Sequence, residues 1–357
     1  MSDLLKDSYN KKYIQKLSES ISTHYPSFDN SKFIKSIFDN TWESLELKER
    51  MRHISKTLGK FLPQDYKKSI EILIKAAKGF GGFEGMFFPD FIEVYGMEKK
   101  NEKVSLKALK YFTTQSSSEF AIRQFLLRDQ KNIVELLVKW SCDKNYHVRR
   151  LASEGCRPRL PWAVQLPSLV NDPRPIFPIL KNLYNDEELY VRRSVANNIN
   201  DISKDHPDLA LKMVKSFEVK SPEVEWVKKH ALRTLLKKGD KRALSLFGFK
   251  KIKTDKCSIK CAKAVKNGES IEFIFNFDLE KSSLVRVEYA IYFLRKNGNL
   301  GKKVFKISER KFDKGPHKIS KSHSFKKITT RVYYPGVQKV SLILNGEEAS
   351  IKSFNLL

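Results

Sequence analysis

The sequence predicts a mainly α protein in which a HEAT-like α-solenoid is followed by an immunoglobulin-like β-sandwich. Three observations predict it. Apolar residues recur three and four apart up to about residue 248, in segments such as 67–78, 131–141 and 222–238. Within that part a short pattern repeats. Beyond it the period falls to two, as in Ile271-Glu272-Phe273-Ile274-Phe275-Asn276-Phe277 and again over 285–293.

The repeat carries the solenoid. Val148-Arg149-Arg150-Leu151-Ala152 returns as Val191-Arg192-Arg193-Ser194-Val195 and as Val227-Lys228-Lys229-His230-Ala231, at offsets of 43 and 36 residues. Both offsets lie near the length of a two-helix HEAT-type unit. Acidic or turn-forming residues precede the copies at Asp143, Asp186 and Ser221. Each unit should bury its valine and its small residue against its neighbours, which lines up the paired basic residues along one wall. Arg149, Arg150, Arg192 and Arg193 are therefore expected to bind phosphate, with Arg157, Arg159 and Lys228 as weaker members of the set. The longer first offset holds a connection rich in proline and arginine, Cys156-Arg157-Pro158-Arg159-Leu160-Pro161-Trp162-Ala163, which a plain solenoid does not need.

The second part reads as about seven strands separated by turn signals at Lys296-Asn297-Gly298-Asn299, Lys314-Gly315-Pro316 and Asn345-Gly346. The expected division is 1–249 and 250–357, with the boundary near 248–254. Arg331-Val332-Tyr333-Tyr334-Pro335-Gly336 reads either as an exposed arginine and aromatic turn on nucleic acid, through Arg331, or as a tyrosine packed at a sandwich corner.

Lys and Arg exceed Asp and Glu by 27. A surplus of that size is self-repelling in the folded chain and calls for a polyanionic partner. The smaller part is the more densely basic, with 24 basic and 10 acidic residues in 250–357 against 44 and 31 in 1–249. Nucleic acid and an acidic membrane surface are the candidates. No stretch approaches the apolar length of a spanning helix, and the N-terminal residues lack the apolar run of a secretory leader. A cytoplasmic protein without membrane attachment is expected. The four cysteines are too scattered for a disulfide framework, and no ligand pair completes a metal site with Cys257 and Cys261. A monomer is the simplest expectation for a wrapping solenoid.

Three segments together carry a family resemblance: Gly85-Met86-Phe87-Phe88-Pro89-Asp90-Phe91 through Gly96, Ser117-Ser118-Glu119-Phe120-Ala121-Ile122-Arg123, and 148–162, the most specific of the three. They resemble the AlkC branch of the AlkD-like DNA glycosylases, and the β part looks like the immunoglobulin-like extension of one subgroup. The match extends through Arg192-Arg193-Ser194-Val195-Ala196-Asn197-Asn198 and Arg233-Thr234-Leu235. One local departure is Gln124 after Arg123, where the family pattern usually has proline. The resemblance implies HEAT-like repeats on duplex DNA. It implies cleavage of the N-glycosidic bond of small cationic alkylated bases, such as 3-methyladenine, 3-methylcytosine and 1-methyladenine, in base excision repair. It further implies a monofunctional enzyme with no metal, no organic cofactor and no conventional base flipping. Carried over by motif, Glu119 and Glu154 would be the catalytic carboxylates and Trp162 the aromatic wall of the lesion site, with Arg149 and Arg150 on flanking phosphates.

The chemistry suits those residue types. A cationic base is already a good leaving group, so the barrier lies in the oxocarbenium-like sugar, which carboxylates stabilise. The face of a tryptophan attracts cations. Each residue also has a structural alternative: a first-turn glutamate at a helix start for Glu119, an i to i+4 surface pair with Arg150 for Glu154, and a core anchor for Trp162. Two other functions compete, a non-catalytic DNA-binding scaffold or damage sensor and a solenoid that binds an acidic protein.

Overall fold

The structure, a computed structural model, describes residues 5–254, 256–328 and 331–357. Residues 1–4, where the N-terminus was read for a leader, lie outside the described residues. The chain divides into two compact units, Met1–Ala231 and Leu232–Leu357. The change from helix to strand falls later, between Leu246 and Cys257, so two short helices, Arg233–Lys238 and Lys241–Leu246, belong to the second unit.

The first unit is helical throughout. Its three repeat copies lie on the helices Tyr146–Gly155, Leu189–Asp205 and Pro222–Ala231, and the middle one packs against both others. Val148, Val191 and Val227 are buried, as are Ala152, Val195 and Ala231 at the second phase. Each such valine contributes roughly 1.5 to 3 kcal/mol through burial. The residues before each copy start the helices. Carboxylate oxygens of Asp143 and Asp186 accept the amides of Asn145 and Glu188, each at 2.9 Å, and Ser221 Oγ accepts that of Val224 at 3.2 Å.

The first basic residue of two copies has a repeated structural task. Arg149 Nη1 donates to the carbonyls of Asp143 and Lys144, both at 3.1 Å. Arg192 Nη1 donates in the same way to Asp186 and Glu187, at 2.6 and 2.8 Å. Each arginine bends back onto the turn that precedes its own helix. Arg149 also grips the Asp186 carboxylate with two bonds, at 2.6 and 3.0 Å, which ties one repeat to the next.

Gly155 ends the first repeat helix. A Cβ there would lie 2.6 Å from Ile122 Cγ2 on the helix Ile122–Arg128, so the two helices approach as closely as they do only because that atom is missing. The chain then enters the proline-rich connection, which the amide of Leu166 closes onto the Pro158 carbonyl at 3.2 Å. Pro167 starts the next short helix at a position where its missing N–H costs nothing.

The second unit is a two-sheet sandwich of β1 (Cys257–Lys260), β2 (Ala264–Val265), β3 (Ser270–Leu279), β4 (Ser283–Leu294), β5 (Leu300–Phe312), β6 (Gly315–Ser324), β7 (Gly336–Leu344) and β8 (Glu347–Leu356). Strand order is β1-β3-β6 in one sheet and β2-β8-β7-β4-β5 in the other. Two turn signals fall between strands, at 296–299 and 345–346, whereas Gly315 and Pro316 already begin β6. Asn345 and Gly346, both with positive φ, close the β7–β8 hairpin, and Gly346 packs so tightly on Leu244 that a Cβ would clash at 2.6 Å. Phe273, Phe275 and Phe277 of β3 face Val285, Val287, Tyr289 and Ile291 of β4 across the core.

β4 departs from the one-sided strand that its alternation predicts. Arg286 and Glu288, on the face opposite the core, are buried as well. They pair with each other at 2.5 Å, and Arg286 also pairs with Glu309 of the neighbouring β5. Mutual pairing offsets much of the cost of burying these charges, although Arg286 Nε and Glu288 Oε2 keep no hydrogen-bond partner among the described residues, so polar residues at alternate positions do not require solvent on that face.

Among the described residues no helix is long and apolar enough to cross a membrane. Among them, too, no grouping of His, Cys, Asp and Glu could hold a metal ion.

Candidate active site

Glu119 sits in the turn that leads into the helix Ile122–Arg128. Its Oε2 accepts a bond from Ser117 Oγ at 2.8 Å and an ion pair from Arg150. About one seventh of the side chain is exposed, at 14%. Arg150 reaches it from the first repeat helix, donates to Ser117 Oγ at 2.8 Å, and lies 4.8 Å from the centroid of the Tyr190 ring. The other end of the same guanidinium meets Glu154 Oε1 at 3.4 Å. One cation thus holds both of the expected carboxylates.

Glu154 is deeper. Its Oε1 also accepts from Arg157 at 2.7 Å, and its Oε2 from Ser194 Oγ at 2.6 Å. Burial alone would raise its pKa, but the Arg150 and Arg157 guanidiniums and the Ser194 hydroxyl outweigh it and hold the carboxyl below its ordinary range. The network continues inward. Arg157 donates to Asp201 at 2.8 Å, and Lys204 donates to the other oxygen of Asp201 at 2.8 Å. Within this network, Glu119, Glu154 and Asp201 are each matched by a cation.

Arg123 fixes the proline-rich connection from inside. It is fully buried, and it donates to the carbonyls of Val164, Gly155 and Arg157 at 2.7, 2.9 and 2.7 Å. Burial draws its pKa down to about 10, which still leaves the guanidinium charged near neutral pH. Three backbone acceptors on one planar donor fork set the path of the segment that ends in Trp162.

Trp162 is the surface feature of that segment. It is 64% exposed, and its φ of 62° is a left-handed conformation that a tryptophan rarely adopts. Its ring meets Phe83 edge-on at 6.0 Å. A core anchor would be buried and relaxed, so the core-anchor alternative does not describe this residue.

The arginines expected on phosphate separate by environment. Arg157 is buried within the carboxylate network, and Arg150 is turned into it. Arg149 and Arg192 hold the helix-start turns described above. Internal partners take three nitrogens of the Arg149 guanidinium and Nη1 of Arg192. Arg159 is bound to Asp205 through two bonds, at 2.7 and 2.9 Å, with about a third of its side chain exposed. Arg193 is exposed outright. Lys228 pairs with Glu225 at 2.8 Å. In the second unit, Arg331 lies 4.1 Å from the Phe293 ring centroid, and Tyr333 packs against Phe293 and Phe325.

Sequence reasoning missed Ser194, Asp201 and Tyr190 as partners of the site. Ser194 was within reach, because it follows the paired arginines of the second copy and packs where Leu151 stands in the first. Asp201 carries no comparable signal.

Comparisons with known proteins show which family the chain resembles. Residues 103–236 match the family described as DNA alkylation repair enzyme, and residues 255–357 the C-terminal Ig-like domain of the uncharacterised protein YhaZ. The chain is 45% identical to YhaZ of Bacillus subtilis over 346 residues, which covers 96% of each chain. It is 36% identical to the alkylpurine DNA glycosylase AlkC of Pseudomonas fluorescens, solved bound to DNA containing an abasic site analog. That match covers 99% of this chain and 100% of the other, with a TM-score of 0.93.

Proposed function

Because the chain belongs to the AlkC family of DNA alkylation repair enzymes, we propose that it is a glycosylase that releases small cationic alkylated bases from duplex DNA. 3-Methyladenine and 3-methylcytosine are the principal substrates of this reading, and 1-methyladenine is a further one. The observation that carries it is the single guanidinium of Arg150 holding two carboxylates, Glu119 in the turn before the helix Ile122–Arg128 and Glu154 on the helix that leads into the Trp162 connection.

In this reading the C1′–N bond breaks with its electron pair going to the base, which neutralises the positive charge of the alkylated ring. The sugar is left as an oxocarbenium ion. Glu154, held as a carboxylate by its three donors, supplies fixed negative charge at that moment. Glu119, the more exposed of the two, accepts the proton of the water whose oxygen bonds to C1′. The products are the free base and an abasic sugar, with no covalent enzyme intermediate. Trp162 offers an exposed ring face to the cationic base, an attraction worth about 0.5 to 2 kcal/mol. An open surface tryptophan, rather than a closed pocket, supports release without conventional flipping.

DNA contact in the first unit falls in this reading to Arg193 and Arg159, and in the second unit to its basic surface, including Arg331. The protein acts as a cytoplasmic monomer. Incubation with methylated duplex DNA tests the proposal directly. Released 3-methyladenine or 3-methylcytosine is the expected result. A folded wild type that binds DNA and releases no base would favour a scaffold or damage sensor instead.

A further inference from the structure

Lys48 lies on the helix Leu47–Phe61, outside every motif of the sequence. Its Nζ donates to the Trp162 carbonyl at 2.5 Å and stands 4.6 Å from the centroid of the Phe120 ring. Phe120 directly follows Glu119. One ammonium therefore joins the backbone of the exposed tryptophan to the turn that carries a carboxylate. The residue itself remains solvent-exposed, so burial does not drive its ammonium onto the protein.

Trp162 has need of such a tie. Its ring stands in solvent and its backbone is held in an unfavourable conformation. Arg123 secures the carbonyls of Gly155, Arg157 and Val164, on either side of it in sequence, whereas the carbonyl of Trp162 itself goes to Lys48. A lysine serving DNA phosphate would direct its ammonium outward. This one is turned back onto a carbonyl and an aromatic face.

We propose that Lys48 is a positioning residue that fixes Trp162 relative to the Glu119 turn, so that the indole face and the carboxylate address the same nucleotide. Its catalytic consequence rests on the glycosylase reading above. The tie itself does not.

The test compares Lys48→Met and Lys48→Arg in the full chain, alone and in a Trp162→Ala background, using single-turnover release of 3-methyladenine from methylated duplex DNA. Lys48→Met is expected to slow release about tenfold to a hundredfold, the effect of a slight misplacement of a reacting assembly. Affinity should stay within about twofold and its salt slope should not change. Lys48→Arg should recover most of the rate, and Lys48→Met should add nothing once Trp162 is gone. A salt slope lowered by about one, with an unchanged rate at saturating DNA, would make Lys48 a phosphate contact and overturn the proposal. So would a full additional loss in the Trp162→Ala background.

A second readout needs no activity. Time-resolved fluorescence anisotropy of Trp162, taken as the difference between each protein and its Trp162→Phe counterpart, should show faster local rotation in Lys48→Met. Unchanged rotation would overturn the tie. Faster rotation in a protein that releases no base would uphold the tie and count against the glycosylase reading.

Discussion

Arg150 and Glu154, one turn apart on the same helix, meet at 3.4 Å with side chains only 11% and 7% exposed. The spacing is that of an ordinary surface pair, but the pair faces inward, where removing either partner strands a buried charge. Arg150→Met is therefore expected to destabilise the first unit by about 3 to 5 kcal/mol, read by urea unfolding. A loss below about 1 kcal/mol, the size of a surface pair, would contradict the burial.

Glu154→Gln keeps the shape and removes the charge. It should lower the rate of base release by about 10²-fold or more if this carboxylate stabilises charge in the transition state, with DNA affinity retained. An unaltered rate would remove Glu154 from the chemistry and leave it a structural residue.

The depressed pKa of Glu154 sets a pH signature. Because the folded value lies below the ordinary 4.5, its contribution to stability is present in full above pH 4.5 and is lost as pH falls through the folded value. Stability measured from pH 6 downward should fall less steeply in Glu154→Gln than in wild type. Equal slopes would show that this carboxyl titrates alike in folded and unfolded chains.

Trp162 allows activity and stability to be separated. Trp162→Ala should weaken selection of cationic over neutral bases by about two- to thirtyfold, the equivalent of 0.5 to 2 kcal/mol. Trp162→Gly should be the more stable of the two variants by about 1 kcal/mol, because glycine adopts the positive φ without strain. Equal melting temperatures would argue that the backbone there is relaxed.

Arg193 and Arg149 stand one repeat apart in opposite environments. Arg193→Ala should leave stability within about 0.5 kcal/mol and lower the salt slope of DNA binding by about one. Arg149→Ala should do the reverse: it loses the grip on Asp186 and two carbonyls, and costs about 1 to 3 kcal/mol of stability. Matching salt slopes for the two variants would undo that division.

Much of the architecture was legible because it rests on periodicity. The buried valines of the three copies, the change from period 3.6 to period 2, and the Asn345-Gly346 hairpin are local patterns that packing reinforces. The family motif likewise brought Glu119, Glu154 and Trp162 into view together. Side-chain direction was less legible. A run of two basic residues at a repeated phase looks the same whether the guanidiniums meet solvent, as at Arg193, or curl back onto carbonyls, as at Arg149 and Arg192. The difference lies in acceptors five and six residues upstream and in Asp186 of the next repeat, and no periodicity reports them. Lys48 and Asp201 were hidden for a related reason, since their partners lie 114 and 44 residues away in the chain.

Gly155 gives the site a consequence for its evolution. The helix carrying Glu154 and the helix that the Glu119 turn leads into approach each other at a position where one side contributes no side chain, and a single methyl group would press on Ile122. The spacing of the carboxylates is thus adjustable from behind, without touching either acid. A descendant of this protein that handled larger adducts could gain room by changing the bulk at Ile122 or Gly155, with its chemistry left intact.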